Sequence, residues 1–349
     1  MARHMLAGAS SPVGFIDFFD HIMPLDKARK RYYLKGSSGS GKSTFMKRAA
    51  AKLEAAGFDT EQFHCSNDAS SLDAVAVSDL GLCIIDATSP HSRDPQIPAA
   101  IDQIIDFAEF LDEGIIAERT EQIKDLLSLK KTLSDRASRY FSALGMIHTA
   151  ETTAYQSALF RTPFYKLTKK WTQTIHKYSA DSDIGSNRKL FLNALTPEGP
   201  ISFADDFFND RTVYGLYSDH GIGISEFLIS LRNEANSLGI NTESFYSPLD
   251  PTRLEYVTMS KISFVNTGGI FEYAGKLDEI INLEECISTS ALSRLKVLTD
   301  DFYKLMHTTT DLMRESKAVH SKLEEIYIKA MDFNKANEIT QKVLEDIFI

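Results

Sequence analysis

The chain has 349 residues, enough for two ordinary domains; 43% of the residues are hydrophobic, 25% are charged, and the formal net charge is −10. The acidic balance argues against non-specific binding to nucleic acid, whose phosphates require a basic surface. The three cysteines, Cys65, Cys83 and Cys286, do not make a disulfide framework, and no apolar run approaches the roughly 20 residues that span a bilayer. We expect a cytoplasmic protein with no membrane or nucleic-acid partner.

Strands and helices alternate from the start of the chain. Residues 31–35 form a candidate strand, and a Gly/Ser loop leads from it into a helix predicted over residues 42–56. The apolar residues of this helix recur at spacings of three and four, and Gly57 is a plausible helix stop. Residues 61–65 form a second strand. Residues 82–86 form a third, whose apolar run is typical of a strand buried on both faces.

The Gly/Ser loop matches G-x-x-x-x-G-K-[ST], the P-loop pattern, and lies between a strand and a helix as that pattern requires. Its glycines let consecutive backbone N–H groups face one anion, and the helix adds its positive N-terminal end. We expect Lys42 to reach the β- and γ-phosphates, the hydroxyl of Ser43 to bind Mg²⁺, and Thr44 to contact the α-phosphate. The predicted nucleotide-binding residues are Gly36, Ser37, Ser38, Gly39, Ser40, Gly41, Lys42, Ser43 and Thr44.

Asp86 ends the third strand and is the best candidate for a second Mg²⁺-side residue. Since ligands bind beyond the carboxyl ends of parallel strands, the following loop is a further candidate region. Within it, His91 and Arg93 could contact phosphate oxygens or a second substrate, or could belong to a Pro-rich surface loop with incidental charges. Ala87 follows Asp86, so the Asp-Glu pair of many hydrolytic ATPases is absent. The chain also lacks the Asn-Lys-x-Asp motif that is typical of GTPases.

Three blocks of the first half recur in the second half in the same order, which indicates a duplication. The paired blocks are RHMLAGASSPVGFIDFFD (from Arg3) and RKLFLNALTPEGPISFAD (from Arg188), AAGFDTEQFHCSNDASSLDAV (from Ala55) and SLGINTESFYSPLDPTRLEYV (from Ser237), and DQIIDFAE (from Asp102) and DEIINLEE (from Asp278).

The second copy has lost the residues that bind phosphate. Ile224 stands in the place of Lys42, Ser218 in the place of Gly36, and Asn266 in the place of Asp86. Asp219 and Glu226 add negative charge where a triphosphate would lie. We therefore predict that the second copy is a degenerate domain with no nucleotide bound to its loop.

A long helical stretch follows each copy, and both show a heptad-like apolar repeat. The repeated positions are Leu126, Leu133, Tyr140 and Ile147 in the first stretch, and Leu298, Leu305, Leu312, Val319, Ile326 and Phe333 in the second. The favoured interpretation is a helical hairpin packed on its own core or on the sister hairpin. The alternative is a coiled coil that forms a homodimer or an arm that docks a partner.

These patterns predict an α/β fold with two tandem P-loop NTPase-like domains, each with a parallel sheet and each followed by a long helical segment. The predicted boundaries are 1–112 for the active domain, 113–182 for a helical hairpin, 183–287 for the degenerate domain, and 288–349 for a C-terminal helical segment.

The motifs RHMLAGASSPVGF, KGSSGSGKST, EQFHCSNDASSLD and IIDATSPH, with their echoes in the second half, resemble a family of largely uncharacterised bacterial proteins with two P-loop NTPase domains. The resemblance covers nearly the whole chain and implies ATP binding, but no particular substrate. In that family the second copy commonly keeps its own P-loop, and this chain departs there.

Three functions fit the sequence. The leading hypothesis is a Mg²⁺-dependent ATPase, with Lys42, Ser43 and Asp86 holding ATP and Mg²⁺. The second is a kinase that acts on a small molecule or nucleotide near His91 and Arg93. The third is a non-catalytic switch in which the nucleotide sets the geometry of the two halves or regulates a protein partner.

Overall fold

The computed structural model describes residues 2–179, 183–293 and 299–347. The first half contains β1 (Ala2–Met5), β2 (Gly8–Ser11), β3 (Gly14–Asp17), β4 (Lys30–Lys35), α1 (Lys42–Ala55), β5 (Thr60–His64), β6 (Leu72–Val77), β7 (Leu82–Asp86) and β8 (Asp102–Asp106). Three helices follow: α2 (Glu113–Glu118), α3 (Thr120–Gln156) and α4 (Arg161–Ile175).

The second half repeats this order. It contains β9 (Asn187–Leu190), β10 (Asn193–Thr196), β11 (Gly199–Ser202), α5 (Ala204–Phe207), β12 (Thr212–Tyr217), α6 (Ile224–Ser237), β13 (Thr242–Tyr246), β14 (Leu254–Met259), β15 (Ile262–Asn266) and β16 (Glu279–Asn282). The helices α7 (Thr289–Leu292), α8 (Thr299–Ala330) and α9 (Phe333–Ile347) complete the described chain. The duplication seen in the sequence is therefore present in the fold.

Each half is built on a six-stranded sheet, in the orders β1-β5-β6-β7-β4-β8 and β16-β12-β15-β14-β13-β9. The α/β class is as predicted, but the prediction of a parallel sheet is wrong for one strand of each sheet. β6 runs antiparallel to β5 and β7, and β14 runs antiparallel to β13 and β15. The reason is a tight connection after β5: the N–H of Cys65 donates to the carbonyl of Ser71, so the chain reverses instead of crossing over.

The predicted helix after the first glycine-rich loop is confirmed as α1, which ends at Ala55. Its buried face consists of Lys42 and the apolar residues spaced three and four apart: Phe45, Met46, Ala49, Ala50 and Leu53. Gly57 follows with a φ of +91°, a left-handed conformation that favours glycine at a helix end.

The two long helices, α3 with 37 residues and α8 with 32, pack against each other in opposite directions. Ile123, near the start of α3, shares an apolar cluster with Ile326, near the end of α8. Leu144, towards the end of α3, shares another with Met306, towards the start of α8. Leu298, the first position of the second heptad-like repeat, lies outside the described residues.

The short helices that follow the long ones are exchanged between the halves. In α4, Phe164 and Trp171 belong to the core of the second half, whereas Val343 and Leu344 of α9 belong to that of the first. An equivalent backbone bridge accompanies each exchange: Leu159↔Ile287 beside α4, and Leu111↔Met331 beside α9. Each sheet is thus covered by a helix that follows the other half in sequence.

Reciprocal contacts also join the two halves at their first strands. Leu6 and Phe191 exchange backbone N–H···O bonds of 2.9 and 3.0 Å. Beside them, Arg3 and Arg188 each bond both Glu61 and Glu243, one carboxylate from each half. The apolar core and this ion cluster therefore both contain residues of the first and of the second half.

Candidate functional site

The first glycine loop, residues 36–43, connects β4 to α1. Gly36, Gly39 and Gly41 have φ values of +135°, +74° and +95°, all in the range that glycine adopts without strain. Gly41 is the N-cap of α1 and supplies no side-chain cap, and the first turn of α1 contains no acidic residue. The loop therefore presents backbone N–H groups and a positive helix end, the features of an anion site.

Lys42 is 7% exposed. Its ammonium group donates to the carbonyl oxygens of Gly36 (2.9 Å) and Ser37 (2.8 Å), and it lies 3.7 Å from Oδ2 of Asp86. Burial lowers the pKa of Lys42, and the neighbouring Asp86 only partly opposes that effect. The structure thus places a cation between the glycine loop and the end of β7.

The two residues expected on the metal side lie at the same edge of the sheet. The hydroxyl of Ser43 accepts a hydrogen bond from the N–H of Leu72 (3.0 Å), which leaves its own proton and a second lone pair for other partners. Oδ1 of Asp86 accepts from the N–H of Thr88 (3.0 Å), so Oδ2 faces Lys42. Thr44 is exposed on the first turn of α1.

Two hydroxyls of the loop are buried without a hydrogen-bond partner in the described part of the chain. They are the Oγ atoms of Ser37 and Ser40. Buried polar atoms nearly always have a partner, so these two call for an explanation. Phosphate oxygens bound in the loop would provide one.

The loop after β7 holds both of its candidate residues in contact with other residues of the first half. His91 is buried: its Nδ1 lies 2.9 Å from the backbone oxygen of Asp86, and its ring stacks on Phe19 at 4.8 Å. Burial lowers the pKa of His91, but its contacts with Asp73 and Asp86 outweigh that effect and raise it. Both ring nitrogens therefore face residues of this chain.

Arg93 donates to Asp17 and lies over the ring of Phe19, 5.7 Å from its centroid. These contacts hold the loop against the β2–β3 hairpin. The guanidinium thus has a carboxylate partner within the first half.

A helix of the second half contacts the first glycine loop, and sequence reasoning missed it. Nε2 of His320, on α8, lies 2.9 Å from Oγ of Ser38, and Nδ1 lies 2.8 Å from the ammonium of Lys130 on α3. Glu324, also on α8, lies close to the glycine loop at Gly39. A Cβ atom added to Gly39 would be 3.0 Å from the backbone oxygen of Glu324.

The tautomer of His320 follows from these partners. Lysine can only donate, so Nδ1 accepts and Nε2–H donates to Ser38. Burial, together with the charges of Lys130 and Lys42, lowers the pKa of His320 to about 4, and the ring is neutral at pH 7. A neutral N–H donor from the second half therefore points at the first glycine loop.

A sequence signal for this contact existed in the repeat. HTAETTAYQ, from His148 on α3, corresponds to HSKLEEIYI, from His320 on α8, and both segments lie over a glycine loop. Extending the repeat search into the long helices would have paired these two histidines.

The second glycine loop, residues 218–225, keeps part of the backbone arrangement of the first: Gly221 and Gly223 have φ values of +66° and +77°, but His220 also has a positive φ of +53°. The N–H of Leu254 donates to Oγ of Ser225 at 3.0 Å, the equivalent of the bond from Leu72 to Ser43. Ile224 replaces Lys42 and is buried in the core, and Glu226 pairs with Arg161. The side chain of Asp219 lies outside what the structure describes.

Within the described ranges, no helix has the length and apolarity to cross a membrane, and no group of three or more His, Cys, Asp or Glu residues is placed to hold a metal ion. Comparisons with protein-family models, with curated proteins and with solved structures find no match to this chain.

Proposed function

We propose that the chain is a P-loop NTPase-like protein that binds ATP with Mg²⁺ at the first glycine loop and hydrolyses it slowly. The observation that carries the proposal is the position of Lys42. Its buried ammonium lies between the carboxylate of Asp86 and the glycine loop, which leads into the N-terminus of α1. The unpartnered hydroxyls of Ser37 and Ser40 support it, since both could donate to phosphate oxygens.

Each residue then has a defined task. Lys42 exchanges its two carbonyl acceptors for oxygens of the β- and γ-phosphates, which neutralises charge on the terminal phosphate. Backbone N–H groups of the loop and of the first turn of α1 bind the remaining phosphate oxygens. Ser43 and Asp86 would hold Mg²⁺, which would neutralise charge on the phosphates.

A nucleotide-dependent switch is the second candidate, and the contact between His320 and Ser38 favours it. Because α8 belongs to the second half, a ligand in the loop would alter a contact between the halves. The kinase hypothesis has less support, since His91 and Arg93 are engaged with Asp86 and Asp17.

The test is equilibrium binding of MgATP, MgADP and MgGTP, followed by phosphate release with and without a pool of nucleosides and sugars. Lys42→Ala should lower MgATP affinity by at least about 100-fold, because it removes charge-assisted contacts to phosphate. Lys47→Ala, an exposed lysine on the same helix, is the matched control and should bind normally. Equal affinity of the two variants would refute the site.

Turnover separates the candidates. Phosphate release without an acceptor supports the ATPase, acceptor-dependent formation of ADP supports the kinase, and tight binding without turnover supports the switch.

A further inference from the structure

The second half contains a cavity of about 440 Å³ where its nucleotide site would lie. It is bounded by the second glycine loop, by the residues that follow β15, by α3 of the first half, and by the start of α8. The carboxyl ends of β12 and β15, two parallel strands, open into it. This volume lies in the range of small-molecule sites, and the position is where α/β sheets bind their ligands.

The polar groups of the cavity are unsuited to a phosphate chain. Glu151 and Glu255 both line it, and Ile224 occupies the position from which a lysine would reach phosphates. Two carboxylates beside a polyphosphate would repel it strongly in a partly buried site. The second site is therefore not a weaker version of the first site, because its two carboxylates have the opposite sign of charge to the groups that bind phosphate.

The same carboxylates suit hydroxyl or amino donors. Glu255 is oriented by the side chain of Asn266, whose amide donates to its Oε2 at 2.5 Å. Carboxylates at this edge of α/β sheets bind ribose hydroxyls in dinucleotide-binding proteins, which shows that the chemistry works in this setting. Arg253 also lines the cavity and adds donors, and its Nη2 donates to the backbone oxygen of Gly221.

Aromatic rings supply the rest of the wall. Tyr155 stacks on His220 with a centroid separation of 4.0 Å and an angle of 8° between the planes. Phe271 is buried at the cavity, whereas Tyr217 and Tyr303 are half-exposed at its rim. Aromatic side chains that are stacked or that lie at the rim of a cavity can bind planar rings, and this contact does not require a phosphate.

We propose that this cavity binds a nucleoside, a planar base with a sugar and no phosphate chain. The base lies among the rings of Tyr217, Phe271 and Tyr303, and the sugar hydroxyls donate to Glu255 and Glu151. The site is independent of the nucleotide proposed for the first glycine loop. The chain then has two unlike sites at equivalent positions, each covered by the long helix of the other half.

The test is calorimetric titration of the full chain with adenosine, guanosine, cytidine and uridine, each alone. At least one should bind at millimolar concentration or below. Its affinity should fall about tenfold in Glu255→Gln, which removes a charged acceptor, and should be unchanged in Glu272→Gln, an exposed carboxylate of the same half. Tyr303→Ala should weaken binding, whereas Tyr165→Ala, an exposed tyrosine of α4, should not.

The Lys42→Ala variant separates the two sites. Nucleoside affinity should persist in Lys42→Ala, and MgATP affinity should persist in Glu255→Gln. Thermal unfolding of each variant, compared with the unsubstituted chain, identifies losses caused by misfolding. Absence of binding by all four nucleosides, or binding that is lost in Lys42→Ala and kept in Glu255→Gln, would overturn the proposal while leaving the first site unaffected.

Discussion

Nε2 of His320 lies 2.9 Å from the hydroxyl of Ser38, although 282 residues separate the two in sequence. The ring is held from its other side by Lys130, so its N–H direction is fixed. In the proposed ATP complex, we expect this N–H to bind an oxygen of the terminal phosphate in place of the hydroxyl of Ser38. This relationship makes the first site dependent on both halves.

His320→Ala should lower the affinity for MgATP by about tenfold and leave the affinity for MgADP unchanged. The reason is that one hydrogen bond to a charged phosphate is lost, and such bonds contribute about 1.5–3 kcal/mol. Isothermal titration with the two nucleotides measures the difference.

His307→Ala is the control for that experiment, because His307 is exposed on the same helix. An equal loss of MgATP and MgADP affinity in His320→Ala would mean that the ring supports the loop and does not distinguish the nucleotides.

Glu324→Gln should slow phosphate release by about 100-fold with little change in MgATP affinity. Burial and Asp68 raise the pKa of Glu324 from its ordinary value, and its carboxylate lies 3.7 Å from Nε2 of His320. In the proposed complex, a carboxylate with a raised pKa near Lys42 and His320 would be suited to accept a proton from attacking water, which contributes about 10²–10⁴-fold to a rate. Single-turnover hydrolysis measures the rate. Glu325→Gln, its exposed neighbour, should be as fast as the unsubstituted chain.

Lys42→Met should stabilise the fold while it removes nucleotide binding. Burial lowers the pKa of Lys42, so folding disfavours its charged form. The stability of the unsubstituted chain should rise as pH increases from the folded pKa towards the unfolded value of 10.5, and this rise should be smaller in Lys42→Met. Urea unfolding across alkaline pH, with Lys47→Met as the control, measures both effects. A less stable Lys42→Met would show that the ammonium contributes to folding.

Arg188→Ala should destabilise the chain by about 3–5 kcal/mol, because it leaves Glu61 and Glu243 with less compensating charge in a buried cluster. Burial opposes the charge of Arg188, but the two carboxylates outweigh it and raise its pKa. Arg161→Ala removes an exposed pair with Glu226 and should cost less than about 1 kcal/mol. Denaturant unfolding compares the two variants, and similar losses would mean that the cluster contributes no more than a surface pair.

The local features of the first site could be predicted from sequence because they depend on neighbouring residues. Glycine spacing, the helix that begins at Lys42 and the acid that ends β7 are all encoded within short segments. The strand β6, residues 72–77, was not predicted at all, so the antiparallel strand that lies between β5 and β7 was missing from the predicted sheet.

The covering helices could not be predicted from local patterns. A heptad-like repeat shows that a helix buries a face, but the partner of that face depends on the whole chain. His320 lies next to Val319 of the repeat and has no neighbouring motif, so only its counterpart His148 could have drawn attention to it. His91 and Arg93 illustrate the reverse case, because their positions at a strand end suggested contact with a ligand and their partners are Asp86 and Asp17.

The exchange of α4 and α9 bears on how such a chain can arise. A half-length ancestor with one sheet, one glycine loop and one long helix would leave its last helix without a sheet to cover. Two identical copies would complete each other by swapping that helix, and gene fusion would make the swapped dimer a single polypeptide. In a fused chain the two loops need not share one sequence, which is consistent with Ile224 in the second loop at the position of Lys42 in the first.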